Sequence, residues 1–470
     1  MVLVAAAGSS PQSPRTHRLE ATPETVAYGY YWSEAKPVLR IGSGDIIDVD
    51  TLLTNSPTGL ARAGVPDDKI QDSLKAVVAA FPQGSPGRGP GGHILTGPVY
   101  VEGAEPGDAL EVKVLSIDLA IDYGYNGCSG FIRANCDQPT PPAKIFHLDR
   151  GTMTSEFLPG IVIPLKPFFG SMGVAPAPEI GRVSSNPPGR HAGNLDNKEL
   201  VAGSTLFIPV HARGALLLIG DGHAAQGNGE VTITALETSL IGTFQVILRK
   251  DMKLRWPRAE TETHYISMGI HEDLNEATKM ALREMIDFLV TEKHLTRDDA
   301  YMLSSAAADL NITQLVDGNK GVHAMISKAI FVGQKIGDDS ITLERTACFG
   351  TCPMYKVTVT SDGTVTFNGE RFTKTTGVAN GKISRESFRQ LVSEFEKINY
   401  FSLPDRYTPG TPVCPQRITD MPSANTSIRL KGKAKGVMHY YGCGDKGALA
   451  QLTALEKKID EVLGTQKWIK

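Results

Sequence analysis

The segment GDGHAAQGNGE, residues 220–230, sets an Asp, a His, a Gln, an Asn and a Glu among four glycines. A loop that only turns has no use for so many metal-capable side chains. Asp221 and His223 are two residues apart, a spacing that puts both on one face of a strand, where they can share an ion. Glu230 follows a glycine-flanked turn, so a hairpin can fold its carboxylate back beside them. Carboxylate oxygens with an imidazole nitrogen suit a divalent ion such as zinc, whereas an all-oxygen set suits calcium or magnesium. GNG is a good turn by itself, but no turn type demands the AAQ between the glycines. The segment therefore favours a site over a decorated hairpin.

Two further polar knots compete with it. RHAGNLDNKEL holds Arg190, His191, Asn194 and Asp196, and there a bend and a site explain the residues equally well. VEGAEPGD holds Glu102, Glu105 and Asp108 around EPGD, an ordinary turn, so structure comes first there. Other chemistries have little support. The sequence has no G-x-S-x-G elbow, phosphate-binding loop or dinucleotide fingerprint. Cys128, in NGCSGF, has no local base and reads as a disulfide or inert thiol rather than a nucleophile.

The elements that must position these residues are mainly β. At 470 residues the chain exceeds one ordinary core, so two or more units are expected. From about 19 to 262, runs such as STLFIPVHARGALLLIGDG and GEVTITALETSLIGTFQVILRK are β-branched and broken by Gly and Asp. In ALEVKVLSI apolar residues alternate with more polar ones, as on a half-buried strand. Such frequent strands predict a sandwich or jelly-roll-like sheet pair. The irregular stretch 124–200 is too long for a connector and is expected to line a site. Helices come late: 274–295 places Ala277, Met280, Ala281, Met285 and Leu289 on one stripe, and Thr296 with Asp299 resembles a capping box. A small α+β unit begins near Ile341, with a hairpin at Asp362-Gly363 and helices over 385–398 and 446–464. The expected division is a leader over 1–18, a β unit over 19–334 and the α+β unit over 338–467, with the boundary at 333–338.

A net charge of -3 argues against a nucleic-acid binder. No stretch reaches the ~20 apolar residues of a membrane span. MVLVAAAGSS reads equally as a signal-peptide remnant or a disordered leader, since it lacks a basic start. The six cysteines are even in number and clustered, which suits disulfides and an exported, periplasmic or extracellular protein.

Across about residues 35–330 the sequence resembles the acetamidase/formamidase family. The resemblance rests on LTGPVYVEGAEPGDALEV, FFGSMGVAPAP, GRHAGNLDNKELVAGSTLFIPVHARGALLLIGDGHAAQGNGEV and DLNEATKMALREMIDFL. It implies a CUB-like β-sandwich with appended helices, a small-molecule amide substrate, hydrolysis of formamide- or acetamide-type amides, a bound metal, and a homodimer or higher homo-oligomer. On that reading Asp221, His223, Asp196 and Glu230 hold a divalent metal, zinc ahead of calcium. Glu230 also serves as general base, and Asn194 and Asp196 belong to the catalytic set, Asn194 binding the oxyanion. The chain departs from the family at Asn228, where an acidic residue is common. A calcium-stabilised sandwich that only binds is the competing reading, and a larger or cyclic amide the competing substrate. The C-terminal unit resembles small domains of unknown function carrying C-F-G-x-C-P, here CFGTCP.

Overall fold

The computed structural model describes residues 14–470 apart from 139–142, 294, 332–338, 415–417 and 431–432. The chain divides into two compact units after Ile330. The boundary expected at 333–338 falls outside the described residues.

The first unit is organised by its longest alternating strand. Ala109–Leu119 buries Leu110, Val112 and Val114 on one face. It pairs with Leu240–Arg249 on one side and Thr205–Pro209 on the other. These three lie within a nine-stranded sheet that runs from the Thr16–Leu19 edge strand to Ala308–Gln314. A second nine-stranded sheet centres on Leu217–Ala225, flanked by Phe168–Gly173, Ile94–Val101 and Leu236–Thr238. The inner faces interlock: Val112, Leu206, Phe244 and Val246 of the first sheet share one core with Val99, Phe169, Met172 and Ile219 of the second. Phe169 meets Phe244 edge to face across the seam, ring centroids 5.2 Å apart. This is a β-sandwich, and its second sheet carries the polar segment described above.

Helix Leu274–Glu292 buries Ala277, Ala281, Met285 and Leu289 and packs on strand His264–His271, its first turn capped by Asp273. At the next helix Thr296 Oγ1 accepts from the Asp299 amide. The Asp299 carboxylate then accepts from the Thr296 hydroxyl, not from its backbone N–H as in a full capping box.

Four expectations change. Residues 16–18, grouped with the leader by sequence, lie in a strand: Thr16–Leu19 joins the sheet by parallel pairing with Ile46–Asp50, and Arg18 pairs with Asp50. Helices also occur early, at Pro57–Arg62 and Asp72–Ala80. Ser56 caps the first and Pro57 opens it, and SLKAVVAA buries Leu74 and Val77. Much of 124–200 is short strands, among them Lys144–His147, Thr154–Leu158, Ile161–Pro164 and Phe168–Gly173. The last is buried along its whole length, so it shows no alternation to read. Finally, the helical spacing of DDAYMLSSAAADL stops at Ala307. Ala308–Gln314 and Lys320–Ser327 form a hairpin instead.

In the second unit seven strands form one sheet, with Ser340–Arg345 between Met354–Thr360 and Ser423–Leu430. Helices Arg385–Lys397 and Ala448–Leu463 share one core with that sheet through Phe388, Leu391, Leu452 and Ile459. Cys348 pairs with Cys352 and Cys414 with Cys443, while Cys128 and Cys136 pair in the first unit. A polar knot fixes the last helix. Asp460 accepts from Arg345 Nε at 2.9 Å and Nη2 at 2.7 Å, from Tyr355 OH at 2.6 Å and from Thr465 Oγ1 at 2.8 Å. Removing one member of such a largely buried pair strands the other charge. Asp460→Ala is expected to destabilise this unit by about 3 kcal/mol. Chemical denaturation checks this, and the double variant R345M/D460L should recover most of the loss.

Candidate metal and amide site

Asp221 and His223 lie on Leu217–Ala225 with their side chains on one face, as their spacing requires. Cross-strand register places Phe168 on one side of His223 and Glu237 on the other. The Phe168 ring meets the imidazole edge to face at 5.0 Å. Nε2 of His223 stands 3.4 Å from Asp221 Oδ2 and 3.3 Å from Glu237 Oε1. Its other nitrogen, Nδ1, is 3.0 Å from Gln226 Oε1, and Gln226 Nε2 donates to the Asp196 carbonyl at 2.7 Å. That second bond leaves Gln226 Oε1 as the accepting end, so His223 Nδ1 carries the hydrogen. Nε2 faces the carboxylates of Asp221 and Glu237.

Three more carboxylates converge here. Ligand atoms of Asp196, Asp221 and His223 lie within 4.8 Å of one another, as do those of His223, Glu230 and Glu237, and those of Asp196, Glu230 and Asp317. Glu230 is thus folded back beside the Asp221–His223 pair. Both oxygens of Asp196 are buried without a hydrogen-bond partner, and so are Glu230 Oε2, Glu237 Oε2 and Asp317 Oδ2. Buried carboxylate oxygens left unpaired are costly. Five acids against the imidazoles of His223 and His93 leave a deficit that a divalent cation would fill. The backbone points the same way: Asp196, Asp221 and Glu230 have φ of +47°, +59° and +43°. Such strained conformations persist where surrounding structure enforces them and cluster at functional sites. Below them lies Gly170, where a Cβ would come within 2.5 Å of Asp196 Oδ1, 2.6 Å of Asp221 Oδ2 and 2.7 Å of His223 Cε1. Only glycine leaves that cradle open.

Electrostatics divide the acids. Burial, reinforced by Glu230, Asp317 and Asp221, drives Asp196 well above the usual carboxylate range. Burial also raises Glu230 well above it, against His223 and with Asp317, Glu237 and Asp221. Burial lifts Asp317 to about 6, against the pull of His93 and His223. Asp221 goes the other way. Burial would raise it, but His93, His223 and a 3.0 Å hydrogen bond from Thr54 hold it well below. For His223, burial opposes the charge, yet Glu237 and Asp221 outweigh it and raise the imidazole. Asp196, Glu230 and Asp317 are thus raised while Asp221 is lowered, and such a division is useful to acid–base chemistry.

The cluster floors a cavity of about 550 Å³ reached by Thr54, His93, Asn194, Asp221, Glu230, Glu237 and Asp317. Asn194 Oδ1 accepts from Ser171 Oγ at 2.7 Å, which leaves its NH₂ as the free donating end. His93, Glu237 and Asp317 escaped the sequence reading. Glu237 sits in ALETSL, an ordinary-looking strand, and only its register opposite His223 reveals it. Asp317 lies in the turn between Ala308–Gln314 and Lys320–Ser327, a stretch whose local spacing does not single it out. His93 follows the glycine run GPGGH and lies 3.7 Å from Asp221 Oδ2, a signal that was available. The VEGAEPGD acids form ion pairs elsewhere: Glu102 with Arg40 and Glu105 with Arg213 at the surface, and Asp108, itself buried, with Lys250. Asn228 is exposed, its amide 3.4 Å from Asn311 Oδ1, outside the acid cluster.

Fold and site together define a β-sandwich protein with a buried acidic centre beside a cavity. The chain belongs to the acetamidase/formamidase family, whose profile matches residues 90–186 and 182–332. Residues 339–463 match a domain of unknown function, DUF6438. The sequence is 29% identical over 220 residues to the formamidase of Methylophilus methylotrophus, covering 34% of this chain and 52% of that one. It is 28% identical over 200 residues to the acetamidase of Mycolicibacterium smegmatis, covering 30% and 49%. The chain thus spans about half the length of the curated relatives it matches. Among solved structures, the acetamidase of Bacillus halodurans superposes with a TM-score of 0.56 at 29% identity, over 67% of this chain and 98% of that one. The acetamidase of Yersinia enterocolitica gives 0.56 at 29%, over 68% and 94%.

Proposed function

We propose that the first unit hydrolyses a linear carboxamide to carboxylate and ammonia at a metal-assisted centre built on Asp196, Asp221, His223 and Glu230. The observation that carries this reading is the cluster of unpartnered buried carboxylate oxygens of Asp196, Glu230, Glu237 and Asp317 that converges with His223 beside Gly170, in a chain of this family. Asp196, Asp221 and His223 would hold the cation, with Glu237 closing the other side of the imidazole. A nitrogen donor among the oxygens favours zinc over calcium and weighs against a purely calcium-stabilised binding role. A cation held by these residues would supply Lewis acidity toward a water and the amide carbonyl.

The chain's own groups do the rest. Glu230, raised by burial and unpartnered at Oε2, takes the proton of the attacking water and delivers it to the departing nitrogen. The water oxygen bonds to the carbonyl carbon, the C–N bond breaks, and nitrogen leaves as ammonia. The NH₂ of Asn194 donates to the oxygen that gains charge. Gln226 positions the imidazole. Gln226→Ala is expected to cut activity about 10- to 100-fold and to lower metal occupancy, as loss of a ligand's orienting partner does. Elemental analysis beside kinetics checks it.

The whole reading is tested by metal analysis of purified full-length protein with ammonia release from formamide, acetamide and propionamide. Calcium alone with no ammonia from any of them would refute it. The three disulfides support an oxidising compartment, which we propose for the protein's location.

A further inference from the structure

The loop closed by Cys128–Cys136 has no part in the chemistry above, yet it is bonded to the wall of the cavity. Phe131 N donates to the Val231 carbonyl at 2.8 Å and Ser129 Oγ to the Thr232 carbonyl at 2.6 Å. Asn126, at the root of the loop, donates to the carbonyls of Thr234 and Ala235 at 2.9 and 2.8 Å. Gly130, at φ +78°, lets the loop lie flat: a Cβ there would be 2.4 Å from the Val231 carbonyl oxygen. The segment so gripped contains Ile233 at φ +64°. A β-branched residue in the left-handed region is a true outlier and stays there only when held.

Ile233 lines the acidic cavity, together with Val316 and Pro187. The cavity therefore has an anionic floor and an apolar side. At about 550 Å³ it has the size of pockets that enclose drug-sized ligands, and formamide or acetamide would occupy a small corner of it. We propose that the disulfide loop clamps Ile233 in place and that the apolar wall so formed selects amides carrying a substituent of several carbons over formamide and acetamide. The proposal rests on the amidase reading and names its substrate class. Ile233 is a specificity residue and the loop a positioning element.

The test is kcat/KM of the metal-loaded full chain on formamide, acetamide, butanamide and hexanamide. The expected series climbs roughly fourfold per methylene beyond acetamide, the effect of burying one CH₂. A series that peaks at formamide or acetamide overturns the proposal and leaves the amidase reading standing; ammonia from none of the four removes both. Two variants probe the clamp, C128S/C136S and I233N, the second because asparagine accepts the left-handed backbone without the apolar surface. Each is expected to lower the hexanamide-to-acetamide ratio about tenfold, through KM rather than kcat. An unchanged ratio in either variant overturns the role given to that element.

Discussion

Replacing His223 by alanine is expected to reduce ammonia release by on the order of 10³-fold or more, with the far-UV circular dichroism of the parent retained. The size of the effect follows from where the imidazole stands. It belongs to two of the three groups of converging ligand atoms, with Asp196 and Asp221 in one and with Glu230 and Glu237 in the other. Its loss removes the nitrogen donor named in the proposed centre and leaves an acidic set suited to harder ions. Zinc content should therefore fall together with activity. The fold should survive, because the sandwich is held by the Phe169–Phe244 seam and its apolar core. Glu105→Ala serves as the control: that carboxylate makes a surface pair with Arg213 and should leave turnover untouched. Full activity in the His223 variant would sink the site assignment.

What the sequence revealed and what it concealed follow from one distinction. Local spacing is legible. Asp221 and His223 share a face because a strand's side-chain period is two, and Glu230 returns because glycines let the chain turn. The sandwich was legible for the same reason, since strands such as Ala109–Leu119 alternate. Register across strands is not local. Glu237 reaches His223 only through the pairing of Leu217–Ala225 with Leu236–Thr238. Asp317 reaches Asp196 only because Ala308–Gln314 and Lys320–Ser327 pair as a hairpin with Asp317 in its turn. Fully buried strands hide too, for Phe168–Gly173 has no polar face to set a period, and Gly170 at its centre reads as a turn residue. Burial decided the remaining knots. RHAGNLD goes inside at Asn194 and Asp196 to join the acid cluster, whereas VEGAEPGD pairs Glu102 and Glu105 at the surface and ties its buried Asp108 to Lys250, and composition alone does not separate them.

Chelation is expected to do more than stop turnover: it should make the first unit's stability depend on pH in a way the metal-loaded protein's does not. With the cation withdrawn, the buried acids are balanced only by protons. Asp317 has a folded pKa of about 6 against an ordinary 3.8. A carboxyl raised in this way favours the folded state below its ordinary value, and that contribution is lost as pH rises through the folded one. From Asp317 alone the full change is roughly 3 kcal/mol, about half of it between pH 8 and pH 5, and Asp196 and Glu230, also raised, add in the same direction. His323 works oppositely. Burial lowers it to about 4, so it favours folding above its ordinary 6.5 and loses that contribution as pH falls toward 4. It does so in loaded and chelated protein alike and cancels in their difference. The gap between the two melting temperatures should therefore be wide at pH 8 and narrow by several degrees at pH 5, as protons take over the role of the ion. Differential scanning calorimetry at both pH values, with and without chelator, measures it directly. A gap that is absent, or the same at both, would mean that the acid ring around His223 does not hold a cation.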